Sequence, residues 1–211
     1  MSDTYTFKQP QRAVFLNLYE PKAYMKDGKA KGDPKYSATF VIPSTSPELD
    51  PLKKAAVAVA RAKWPTRELR ELVFPFTSGD KAMEKSAAKG KDGSFYKGGV
   101  VFKTRSKYPP ILSVLNAGRI ITLETDVLKA QWKSKFYNGC IGAAAVNFVT
   151  YEGDQGSDGV TAYIQSFLWT GDGERIGGRD QAEVFKDYMG QVSSEDPFGG
   201  DPAGDDPFPI S

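Results

Sequence analysis

The strongest patterned runs of the chain are short, apolar stretches bounded by turn-forming residues, the mark of β-strands. Residues 12–19 (RAVFLNLY) and 36–42 (YSATFVI) are rich in β-branched and aromatic side chains and predict two strands. The Gly- and Lys-rich stretch between them, KAYMKDGKAKGDP, reads as a mobile basic loop. The pattern then changes. In STSPELDPLKKAAVAVARAKWP, Leu52, Ala56 and Val59 recur at helical spacing, and Ser46 or Asp50, each followed by Pro, offers an N-cap. A helix ending before Pro65 is predicted, then a second short one over 66–73 and a long polar, glycine-rich excursion, TSGDKAMEKSAAKGKDGSFYKGG.

Strand patterning returns at 99–106 (GVVFKTRS), more weakly at PILSVL and RIITLE, and strongly at 140–151 and 159–171. Seven turn-forming residues, EGDQGSD, separate the last two runs and predict a hairpin. On the final strand Tyr163, Phe167 and Trp169 share one parity and Ile164, Ser166 and Leu168 the other, so one set is expected to face the core. DQAEVFKDYM predicts a short terminal helix capped by Asp180, and periodicity ends after Gly190. Five or six strands, with helices inserted once in the middle and once at the end, suit a small closed β-barrel better than a βαβ sheet. The expected organisation is a mainly β domain over 1–190, an OB-fold-like closed barrel with inserted helices and long loops, and a disordered acidic C-terminal tail over 191–211.

Composition narrows the function. With 211 residues, 40% of them hydrophobic, the chain is long enough for one sizeable core. No apolar run is long enough for a membrane helix, and MSDTYTFKQP lacks a secretion pattern, so the protein is expected to remain where it is made, with no membrane partner. The single cysteine, Cys140, reads as a core thiol. There is no histidine, which excludes Ser-His-Asp, Cys-His and His-metal sites. Neither EGDQGSD nor GDGERIGG matches a calcium loop, and no phosphate loop is present. The expectation is a protein that is not an enzyme and needs no metal or cofactor.

Charge is segregated. All 28 Lys and Arg precede Gly190, against 21 acids in the same stretch, whereas the tail carries Glu195, Asp196, Asp201, Asp205 and Asp206 and no base. A body of net +7 with a −5 appendage points to a polyanion for the body and to a mimic of it, or a partner-recruiting peptide, in the tail.

Cations also interleave with aromatics in three segments. In VVFKTRSKYPP the strand period places Lys103, Arg105 and Lys107 on one face, with Tyr108 following. YEPKAYMKDGKAKGDPKYS contributes Lys22, Tyr24, Lys26, Lys35 and Tyr36, and LKAQWKSKFYNG contributes Trp132, Lys133, Lys135 and Tyr137. Cations that track a phosphate backbone release counterions, and aromatic faces stack on unpaired bases, a gain unavailable in a duplex; both favour single-stranded DNA. Tyr24, Tyr36 and Trp132, read as loop residues, are the expected stacking rings.

The ordered stretches YEPKA, KYSATFVIP, YKGGVVFKTRSKYPP, FYNGCIGAAAVNF and GERIGGRDQAEVF, spread over about residues 12–188, resemble the single-stranded-DNA-binding proteins of tailed bacteriophages, a family first catalogued as a domain of unknown function. The resemblance implies an OB-type barrel, DNA binding without sequence specificity, and a role in phage replication, recombination or repair in the cytoplasm of the bacterial host. The tail looks like the acidic ends of other single-strand binders, which dock on replication or recombination proteins. Asp205, Asp206, Phe208 and Ile210 are then the candidate partner-binding residues, although DDPFPIS does not end on Phe as the commoner pattern does. The competing readings are a protein-interaction or virion-associated module built on the repeated DPF units, and a carboxylate-dependent nuclease.

Overall fold

The computed structural model describes residues 4–26, 29–153 and 157–177. The chain divides into two compact units, Met1–Ile176 and Gly177–Ser211, and the strands and helices described lie in the first. The predicted helix around 180–189 and the acidic tail lie outside the described residues.

Among the described residues nine strands form one sheet. They are β1 (Thr4–Thr6), β2 (Gln11–Lys26), β3 (Lys29–Pro43), β4 (Phe76–Ser78), β5 (Gly99–Ser106), β6 (Ile111–Asn116), β7 (Arg119–Thr122), β8 (Ile141–Tyr151) and β9 (Gly159–Gly171). Five of them close a ring in the order β2-β3-β5-β9-β8 and back to β2. Numbered within the ring, this is the 1-2-3-5-4-1 circuit, with the third and fifth strands parallel and every other neighbour antiparallel. It is a closed five-stranded barrel in a mainly β chain. The β6-β7 hairpin extends the sheet beyond β9, and β1 pairs with β8.

Phenylalanines fill the interior. Phe40, Phe102 and Phe167 are fully buried, with Phe40 6.4 Å from Phe102 and 6.0 Å from Phe167 between ring centroids, and Phe7 edges onto Phe40 at 4.8 Å. Gly142 leaves room for the Phe167 ring, which would lie 2.5 Å from a Cβ at that position. Helix α1 (Leu49–Lys63) packs on β8 and β9 through Leu49, Leu52, Ala56 and Ala60, and ends one residue before Trp64 and Pro65, as the pattern predicts. Its N-cap is Glu48 rather than Ser46 or Asp50. The Glu48 carboxylate is buried and accepts hydrogen bonds from the Tyr5 hydroxyl (2.5 Å) and the Lys8 and Gln9 amides (2.8 Å each), which ties the β1 segment to the helix start.

Three expectations change. The basic stretch between the first two strands is no loop: β2 and β3 continue as an antiparallel arm, pairing Lys22 with Lys35 and Lys26 with Lys29, with register shifts on the way. The 66–73 segment forms only a 3-10 turn at Leu69–Glu71, and the polar excursion contains α2 (Gly79–Ala87) and a 3-10 turn at Ser94–Tyr96. Neither parity set of β9 is the core set. Val146 pairs with Ile164 and Ala145 with Ser166, so Gln165 is an extra residue and the parity reverses there. Ile164, Phe167 and Trp169 all turn inward, and Tyr163 turns out.

Candidate nucleic-acid interface

The outer face of β2, β3 and β5 has two halves. Near the β5 start, Val14, Val41 and Val101 form a second small core with Tyr96, roofed by Ala82 and Met83 of α2 and by Phe95. Further along, no described element of the chain covers the face. There the register sets Asn17 beside Ser37 and Ser37 beside Arg105, with Lys22 beside Lys35 and Thr39 beside Lys103. Thr104, between the two outward cations, points in, and its hydroxyl donates to Ala38 O at 2.8 Å.

Two clefts, of about 380 and 650 Å³, lie on this open half and share Ser37 and Arg105, so they form one continuous groove. Lys103 and Arg105 line the first, and Lys22, Lys35 and Arg105 the second. A third cleft continues from Asn17 and Lys22 to Tyr19, Lys133 and Phe136. The groove thus brings together Lys22, Lys35, Lys103, Arg105 and Lys133 from four chain segments. Lys103 is exposed as a residue, yet loss of water around the ammonium, then repulsion from Lys85 and Lys89, hold its pKa below the ordinary lysine value. Lys107 is exposed and pairs with Asp33 of the arm at 3.6 Å. Tyr108, 79% exposed, lines a separate cleft with Tyr163.

The 126–137 segment serves mainly to pack. Residues 126–132 are helical (α3, Asp126–Trp132), capped by Thr125, whose hydroxyl accepts from Leu128 N at 3.2 Å. The helix and the turn after it lie against the barrel core. Trp132 is half-buried with its ring 6.4 Å from Trp169, and Phe136 packs on Phe167 and Tyr19. Lys135 binds Asp172 at 2.8 Å and sits over the Trp169 ring, and the Tyr137 hydroxyl donates to Gly173 O at 2.9 Å. Trp132 and Tyr137 are therefore packing and hydrogen-bonding residues rather than free loop rings; of the cations in this segment, Lys133 opens on the groove. Tyr36 has the parity of Ala38 and Phe40, opposite to that of Lys35 and Ser37. The side chains of Tyr24 and Lys26, like Asp205, Asp206, Phe208 and Ile210, lie outside the described residues. Sequence reasoning misses the groove's other wall: Phe74, Pro75 and Tyr151 carry no nearby basic-aromatic pattern to single them out.

Among the described residues no three His, Cys, Asp or Glu side chains are grouped to hold a metal ion. The Cys140 thiol is buried, and that burial pushes its pKa up to about 12, the protonated state of a core residue.

A closed five-stranded barrel of this circuit, with a basic groove on its first three strands, defines an OB-type barrel protein. The chain belongs to the family described as "Enterobacter phage Enc34, ssDNA-binding protein", whose model matches residues 6–206. No curated protein sequence matches it. Among solved structures it is similar to the single-stranded DNA-binding protein from bacteriophage Enc34 in complex with ssDNA, at 18% identity and TM-score 0.61, over 80% of this chain and 87% of that one. A second structure of the single-stranded DNA-binding protein from bacteriophage Enc34 aligns at 18% identity and TM-score 0.57, over 84% and 87%. The gp2.5 single-stranded DNA binding protein encoded by bacteriophage T7 aligns at 12% and 0.53, over 87% and 94%. At such identities the likeness establishes a shared fold.

Proposed function

We propose that the protein binds single-stranded DNA without sequence specificity, laying the phosphate backbone along the groove over β2, β3 and β5. The observation that carries this reading is the continuity of the two clefts at Ser37 and Arg105, which lines up Lys22, Lys35, Arg105 and Lys103 along one path. Membership of a family described as single-strand-binding supports it. The cations supply affinity by counterion release, and Lys107 and Lys133 extend the positive field at its margins. Tyr108, 79% exposed, is the stacking candidate among those residues singled out in the sequence whose side chains the structure describes. The work is binding rather than catalysis: the protein coats and presents the strand during phage replication, recombination or repair in the cytoplasm of the bacterial host. The acidic tail, from 191 onward, recruits a replication or recombination protein through Asp205, Asp206, Phe208 and Ile210.

The test is a titration of oligo-dT against a duplex of equal length at several salt concentrations. The expected result is tighter binding to the single strand, with affinity falling linearly in log-log form as salt rises. Affinity indifferent to salt, or a preference for duplex, overturns the reading.

A further inference from the structure

β5 changes partner along the edge that faces away from β3. From Val100 to Phe102 it pairs with β4, and the Lys103 amide donates to Pro75 O at 2.9 Å. At Thr104 the edge passes to β9 through a single pair, Thr104 with Ala162. The barrel wall forks at this point, and the cleft of about 380 Å³ opens there. Its lining includes Phe74 and Pro75 leading into β4, Thr161 of β9, Tyr151 at the end of β8, and Lys103 and Arg105 on the outside of β5. Rings and cations thus meet in one recess.

The recess is built rather than incidental. The Val73 amide donates to Asp158 O at 2.9 Å, and Val73 O accepts from the Val160 amide at 2.8 Å. Gly159 permits this approach, since a Cβ there would overlap Val73 O. The Asp158 carboxylate holds both Arg67 and the Gly153 amide, which fixes the segment leading to Phe74 against the connection after Tyr151. Across the fork the Arg105 Nε donates to Thr161 Oγ1 at 3.1 Å. Neither Lys103 nor Arg105 has a carboxylate within ion-pair distance among the described residues.

We propose that the fork cleft seats a nucleobase of the bound strand against Phe74 and Tyr151, while Lys103 and Arg105 hold the phosphates on either side of it. The proposal rests on the single-strand-binding reading above and gives it a selective element. A base already stacked in a duplex gains nothing from the recess, whereas an unpaired one gains a stacking surface.

The experiment titrates the full chain with oligo-dT and with an abasic strand of the same length, for the wild type and for Tyr151→Ala and Phe74→Leu. The wild type is expected to prefer oligo-dT. Each variant is expected to lose about five-fold or more in oligo-dT affinity, with abasic affinity and salt slope unchanged. Phe74 also packs on the core, so thermal melting accompanies each titration, and Tyr151→Ala carries the test if Phe74→Leu fails to fold. Wild-type oligo-dT affinity in the variants, or equal losses on both strands, overturns the base pocket and leaves single-strand binding standing. Failure of the wild type to bind either strand overturns the binding reading itself.

Discussion

The two halves of the outer face of β2, β3 and β5 are made by the same three strands and differ in what lies over them. Under α2 and the turn that follows, the outward residues are Val14, Val41 and Val101, and the surface has become a second core closed by Tyr96. Beyond that roof the outward residues are Asn17, Ser37, Thr39, Lys103 and Arg105, and the surface is a groove. A β-barrel wall has one face already committed to its interior, so the other face takes its character from its cover. The insertion between β3 and β5 supplies that cover for one half only. The open half is left to collect charge that would be costly to bury.

Damage to the open half should cost binding and spare stability. Joint replacement of Lys22, Lys35 and Arg105 by Ala should weaken oligo-dT binding roughly a hundred-fold at low salt and reduce the salt slope by about 0.7 for each phosphate no longer neutralised. Its melting temperature should stay near wild type, because the three side chains lie on the groove and outside both apolar cores. A variant that melts early instead would show that the groove residues are structural.

The covered half should behave in the opposite way. Tyr96 is 6% exposed at the centre of the second core. Tyr96→Ala should cost about 3 kcal/mol in denaturant unfolding, while oligo-dT affinity below the transition changes less than in the groove variant.

Lys103 sits at the border, and one substitution there should move the two properties in opposite directions. Its folded pKa lies below its ordinary value, so the protonated side chain opposes folding at neutral pH, in full below the folded pKa and fading as pH rises through it towards the ordinary 10.5. Lys103→Met should therefore raise the melting temperature at pH 7, with a smaller gain near pH 10, and weaken oligo-dT binding at both. A loss of stability at pH 7 would contradict the desolvation of this lysine.

The smallest effect is expected at the far wall of the groove. Arg67, with the Gly153 amide, holds the Asp158 carboxyl below the ordinary carboxylate range, so its contribution is present at neutral pH and fades as pH falls through that lowered pKa. Asp158→Asn should lower the melting temperature slightly at pH 7, converge with wild type in acid, and weaken oligo-dT binding modestly by loosening the segment that carries Phe74 and Pro75.

How much of this is legible in the sequence can be judged residue by residue. β5 and β9 fall on the predicted residues 99–106 and 159–171, β8 within one residue of prediction, and α1 stops short of the predicted proline, because each has a strong period and sharp punctuation. The exposed stripe of Lys103, Arg105 and Lys107 follows directly from the strand period. α3 escapes the pattern because Trp132, Lys133 and Lys135 look like a basic loop, although Thr125 with a hydrophobic run after it is a usable cap signal. The arm formed by β2 and β3 escapes it too: its lysines and glycines resemble a loop, yet the Asp27–Gly28 dipeptide between the strands is a hairpin signal.

By itself the sequence determined the strand and helix periods, the basic body and acidic end, the lack of histidine chemistry, and the cations that an outward strand face would show. Only the tertiary structure decided which faces those were. The extra residue at Gln165 reversed the parity of β9 and let Phe167 and Trp169 join Ile164 inside, a local irregularity that no alternation rule records. Closure of the ring placed Lys22, Lys35, Lys103 and Arg105 on one path, and the handover of the β5 edge from β4 to β9 set Phe74 and Tyr151 beside them. Periodicity is local and reads one strand at a time, whereas a groove is made by strands that meet only when the barrel closes.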